Sequence, residues 1–165
     1  MGGKIISPKQ LAAQWRTLPN RFEVNVLNFE VLAGRAAVAV FRESFYLQRF
    51  NTSGAASWPA RKDYRRHPLL RETNSLARSI VSTRFSMNRT RGVMIYTSHF
   101  SFANSRRNKT GMCYAAIHNE GGKIAAPGSN ASYIQQRQFM GHSSVLDSKL
   151  EEISIRIFDG FPKCL

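Results

Sequence analysis

Cysteine and acidic residues are what this sequence is short of. Only Cys113 and Cys164 occur in 165 residues, in neither a CxxC nor a Cys/His ligand spacing. That excludes a multi-disulfide framework and a zinc finger or ribbon, and suits a reducing cytoplasm. The ten Asp and Glu residues are dispersed, so no carboxylate pair for acid-base catalysis and no two-metal nuclease centre stands ready in the pattern. Phosphate-cradling GxxxxGK[ST] and GxGxxG loops are absent, as are GxSxG and HExxH. No stretch has the ~20 uninterrupted apolar residues of a membrane span, and the start, MGGKIISPKQ, lacks the apolar run and cleavage site of a secretory signal. These absences argue against an enzyme, a metal, a cofactor and a membrane partner.

Positive charge is what the chain has in excess. Twenty-four Lys and Arg give a net +14, and the segment from Arg61 to Lys109 holds twelve basic residues against two acidic, a net +10. Such a surface reads either as one facing a polyanion or an acidic protein or as a solvated basic face with no dedicated ligand. Arg61-Lys62 and Arg65-Arg66 interleave with Tyr64 and His67, and Arg106-Arg107 follow Phe100 and Phe102. Phosphate-binding charge beside stackable rings is the pattern of a basic DNA- or RNA-binding protein, although no RNP, KH or zinc-finger motif accompanies it.

The length suits one domain, residues 1–165, with about 70% of its unfolded surface buried on folding. Residues 1–20 read as a leader holding a brief helix, Lys9–Leu18, capped by Ser7-Pro8 and ended by Pro19-Asn20. A longer helix is predicted from Arg21 to Arg49, where Leu27, Val31, Gly34, Val38, Phe41 and Phe45 alternate by four and three. At 1.5 Å per residue it reaches roughly 40 Å, more than a small core covers at every turn, so part of the stripe is expected against a neighbouring subunit, the alternative being that it serves the intramolecular core alone. Trp58-Pro59 anchors a loop, and Thr73 or Asn74 caps a short helix carrying Leu76 and Ile80. Ile80–Met87 and Gly92–Ser98 read as a hairpin joined by Asn88-Arg89-Thr90-Arg91, and Phe100 and Phe102 alternate as in a strand. Residues 123–137, rich in Gly, Pro, Ser, Asn and Gln, read as a flexible arm or loop. Ser144 with Asp147 marks a capping box for a C-terminal helix through Leu146, Leu150, Ile153 and Ile157, preferred over a strand through Ile153, Ile155 and Ile157. The expected fold is α+β: a long N-terminal amphipathic helix packed on a small, mostly antiparallel sheet, with a C-terminal helix.

The most specific stretch is Tyr114–Gly122, YAAIHNEGG. Tyr114, Ala115, Ala116 and Ile117 suit a tightly packed element, and Gly121-Gly122 allow a sharp turn after it. Asn119 lies where a polar side chain binds freed backbone groups. His118 reads first as a hydrogen-bonded structural histidine and only second as a ligand or base.

YAAIHNEGG followed by Gln138-Phe139-Met140-Gly141 resembles the YAxIHxxGG … RxFLG signature of virion-morphogenesis or tail-completion proteins of Mu-like tailed bacteriophages. Pro68 to Ile80 resembles the family's LxxTGxLxxSI segment, with Asn74 where glycine is usual. The resemblance spans residues 20–160 and implies a structural virion protein of the tail or neck, present in the host cytoplasm during assembly. It would form a hexameric or dodecameric ring that completes or terminates the tail and couples it to the connector. The implied partners are further copies of the chain, connector or stopper proteins, tail-tube or terminator proteins, and packaged DNA through non-specific contact. On that reading Leu27, Val31, Val38, Phe41, Phe45, Tyr114, Ile117, His118, Gly121, Gly122 and Phe139 set subunit packing. Arg61, Lys62, Arg65, Arg66, Arg106 and Arg107 would face the polyanion.

Overall fold

The computed structural model describes residues 7–60, 66–88, 90–98, 114–124, 132–159 and 161. It has the expected α+β architecture: a long N-terminal helix, a small antiparallel sheet and a C-terminal helix. Helix α1 runs from Pro8 to Leu47, 40 residues and about 60 Å. Its start follows the sequence: Ser7 is the N-cap, Pro8 opens the first turn, and a capping box joins Ser7 to Gln10.

Pro19 does not end the helix, so residues 8–20 belong to α1 and not to a separate leader. Proline removes one N–H and orphans the carbonyl four residues earlier, here that of Trp15. Because this part of α1 is exposed, water can take that carbonyl, and the cap together with Leu11, Ala12, Ala13 and Gln14 keeps the preceding turns helical. By length and composition α1 is also apolar enough to cross a membrane, which counting uninterrupted apolar runs did not anticipate. Its Glu30 and Asn25 nevertheless meet groups of this same chain.

The core gathers on the C-terminal half of α1. Val40, Phe41 and Phe45 pack with Phe50, Trp58, Leu76, Ile80, Ala115 and Phe139. Phe45 sits edge-on to Trp58, ring centroids 5.6 Å apart, and tilts against Phe139 at 5.0 Å. Trp58 is the loop anchor its composition suggested, its indole N–H donating to the Gln138 carbonyl at 2.8 Å. Phe41, Phe45 and Phe139 are therefore core residues within one chain, the structural side of the interface-or-structural role expected of them. Val38 packs against the same core, Leu27 is half-buried, and only Val31 of that stripe stays exposed.

After α2 (Ser75–Ser79), β1 (Ile80–Met87) and β2 (Thr90–Thr97) form an antiparallel hairpin, with Ile80 opposite Thr97 and Met87 opposite Thr90. Its turn is two residues, shorter than the four expected, and Asn88 takes a left-handed φ of 48°, as tight hairpins require. Asn74, where the resembled family carries glycine, is likewise left-handed at 55°; Ile80 opens β1 and does not extend α2.

The hairpin lies along α1. Gly34 allows this, because a Cβ there would meet Ser82 Oγ at 2.9 Å and Val93 Cγ1 at 3.1 Å. Arg91 and Arg84 then reach the buried Glu30 at 3.4 and 4.0 Å, and Arg91 also reaches Glu23 at 3.9 Å. We expect Gly34→Val to lift the hairpin from the helix and lower stability by about 2 kcal/mol, read as a drop in the urea midpoint at unchanged m-value.

Helix α4 (Ser144–Ser154) continues into a 3-10 turn, Ile155–Phe158, so the helical reading of the C-terminus holds over the strand. Its cap is Ser143, one residue before the one expected. The Ser143 hydroxyl accepts from Leu146 N at 3.2 Å and donates to the Asn51 carbonyl at 2.5 Å, while Ser144 pairs with Thr52 and Ser53. A buried hydroxyl that both caps and tethers is worth more than a surface cap. Ser143→Ala is expected to lose about 2 kcal/mol, measurable by thermal melting.

Candidate functional site

The two stretches that carried the family resemblance meet in space. Helix α3 (Tyr114–Glu120) ends at Gly121, whose φ of 75° turns the chain left-handed. A side chain there would also strike the backbone of Gln136 at about 3.0 Å. Gly122 then opens β3 (Gly122–Ile124), which pairs with β4 (Ser132–Ile134). The ends of the segment 123–137 are thus ordered in a two-stranded sheet, correcting the reading of a loose arm throughout; residues 125–131 lie outside the described ones.

Beyond β4 the chain is clasped onto α3. Arg137 N donates to the His118 carbonyl at 2.8 Å, and the Gln136 side-chain amide donates to the Asn119 carbonyl at 3.2 Å. Asn119 Oδ1 accepts from both Phe139 N and Met140 N, each at 2.9 Å. One amide oxygen therefore fixes the backbone that delivers Phe139 into the core, the role its place before the glycines suggested.

His118 is buried, with its ring edge-on to Tyr114 at 4.3 Å and its Nδ1 without a hydrogen-bond partner. The expected hydrogen-bonded structural histidine is thus structural but unsatisfied at that nitrogen. Burial first, and the Arg137 charge second, push its pKa from 6.5 down to about 4, so the ring is neutral near neutral pH. Tyr114 and Ile117 are half-buried beside it. The motif residues act on one another within one chain, and among the described residues no three His, Cys, Asp or Glu converge on a metal position.

No protein family, curated protein or solved structure matches this chain.

Of the polyanion-facing candidates, Arg66 is exposed, whereas Arg61, Lys62, Arg65, Arg106 and Arg107 lie outside the described residues, as do Phe100, Phe102, Cys113 and Cys164. Two apolar surfaces escaped the sequence reading. The first is the outward face of the hairpin. Ile80, Ser82 and Arg84, with Val93 and Ile95, face α1, so alternation turns Val81, Thr83, Phe85 and Met87 outward beside Tyr96, Met94, Gly92 and Thr90. None of these eight is charged. Phe85 is 38%, Tyr96 41%, Met94 52% and Met87 71% exposed. The signal was present as apolar residues at both alternating positions of β2, Val93 to Tyr96, but a hairpin with one covered face needs the structure to say which face is bare.

The second surface is the N-terminal part of α1. Leu11, Trp15, Leu18 and Phe22 are spaced by four, three and four along one side. Phe22 contacts Phe158 and Phe161 of the C-terminal segment, while Leu11 is 41% and Trp15 63% exposed. Reading Pro19 as a break had divided this seam.

Proposed function

We propose that the chain is a structural subunit of a tailed-phage virion, acting at the head-tail junction as a member of a ring that completes or terminates the tail and meets the connector. Such a subunit works by surface complementarity: one face buries against the next copy and another meets the tube or connector, through contacts that in obligate assemblies often exceed about 2,000 Å². The observation that carries the reading is the juxtaposition of YAAIHNEGG with Gln138-Phe139-Met140, which are distant in sequence yet bonded through Asn119. The stretches that resemble the family are thus one structural unit, a compact clasp of the kind that fixes a subunit's shape. The bare apolar surfaces on the hairpin and on the N-terminal part of α1 are what an assembling subunit needs.

Purified protein is expected to sediment as a closed oligomer at micromolar concentration and to be found in finished particles at the neck or tail end. A strictly monomeric protein that is absent from particles sinks the reading.

A second reading, a free basic DNA- or RNA-binding protein, is favoured by the net charge of +14. Its mark is affinity for duplex that falls by orders of magnitude between low and moderate salt in the isolated subunit.

A further inference from the structure

We infer that the N-terminal arm of α1 in one copy of this chain packs on the outward face of the β1–β2 hairpin of the next copy, so that each subunit gives one helix and receives another. The inference rests on the ring reading above and names the contact that would build it.

Four observations favour a second copy as the occupant. The hairpin rests its inner face on its own α1, so its outer face looks away from that helix and the chain's own arm cannot cover it. The two surfaces match in size: Pro8 to Phe22 rises about 22 Å as a helix, and eight residues of strand run about 26 Å. A helix about 10 Å across spans a ribbon of two strands. The face is also free of charge in a chain of net +14, so it can receive a segment carrying Lys9, Arg16 and Arg21 with no cation set against them from within the face. Finally, each chain has one arm and one face in different places, so the contact can run head-to-tail, and contacts of that kind close into rings when the rotation allows.

The pairing also completes a layering that one chain leaves half-built. A two-stranded ribbon is marginal without further cover, and here it would lie between its own helix and its neighbour's. Burying Leu11 and Trp15 against Phe85, Met87, Met94 and Tyr96 removes on the order of 650 Å² from these six side chains, the apolar centre of the contact.

The test uses full-length chains carrying Trp15→Glu or Met94→Glu, both at exposed positions, with circular dichroism to verify folding. Sedimentation velocity should find wild-type protein oligomeric and each variant monomeric, with association weakened at least a hundredfold. Mixing the variants should then restore one intact contact per pair and yield heterodimers, because one chain keeps its face and the other its arm. An oligomer that persists in both variants overturns the arm-on-face contact while leaving the ring reading standing; a monomeric wild type overturns both. Two monomeric variants that fail to complement overturn the head-to-tail contact. Monomeric wild-type protein that sediments with anionic phosphatidylserine vesicles, and loses this with Trp15→Glu, overturns it in favour of a membrane-facing arm.

Discussion

Asn119→Ala is expected to lower the stability of this protein by about 3 kcal/mol, a fall in Tm of about 6–12 °C for a chain of this size. The side chain's Oδ1 accepts from Phe139 N and Met140 N, both at 2.9 Å and in partly buried surroundings. Alanine leaves two backbone donors unpaired at once, and each retains its desolvation penalty. The damage should spread beyond the clasp. Phe139 is among the most deeply buried side chains and touches Phe45, and the adjoining Gln138 carbonyl accepts from Trp58, so loosening this backbone loosens the centre of the core. Asn119→Asp separates the bonds from simple side-chain loss: a carboxylate still accepts from both N–H groups and should retain more than half of the stability that alanine loses. Chemical denaturation of the three proteins reads this directly, and an alanine variant within 1 kcal/mol of wild type would dispose of the clasp as a stabilising unit.

What the sequence made legible, and what it did not, follows from which physical signals are local. The boundaries of β1, the Ser7-Pro8 start of α1 and the left-handed Asn74 were readable because each depends on a few neighbouring residues. The turning glycine at 121 was readable for the same reason, whereas Asn119 was legible as a binder of backbone groups but not as the partner of Phe139 and Met140. Pro19 misled because a breaker's weight depends on the helix around it, and here exposure and a strong cap outweigh a local penalty of about 3 kcal/mol. The stripe from Leu27 to Phe45 was correctly apolar, but its spacing did not say which residues lie opposite it. Periodicity says that a face is buried, and only tertiary packing says against what: Phe41 and Phe45 meet Phe50, Trp58 and Phe139. Glu30 shows the same limit. Nothing in its neighbourhood marks it as a buried acid held by Arg84 and Arg91, residues more than fifty positions away.

Acidification is expected to destabilise the protein through His118 by about 3 kcal/mol between pH 6.5 and pH 4. The sign follows from the direction of the shift. In the unfolded chain this imidazole takes a proton near its ordinary 6.5, whereas in the fold burial and the Arg137 charge hold it neutral down to about 4. Between those values the unfolded state binds more protons, so stability falls as pH falls, and below about 4 the contribution levels off. Among the described residues no acceptor meets Nδ1, and the ring faces Tyr114 with Arg137 close by. His118→Phe removes the titration while keeping an edge-to-face ring for Tyr114, and because Nδ1, one of the two nitrogens lost, had no partner, its stability at pH 7.5 should stay within about 1.5 kcal/mol of wild type. The quantity to measure is the difference in unfolding free energy between the two proteins across pH 7.5 to 4, in which the titrations of other groups cancel. A flat difference would mean that the folded protein accepts the proton at no penalty. A slope of the predicted sign would establish that the fold holds this imidazole neutral, so that acid weakens the protein through the helix bearing the family-like residues.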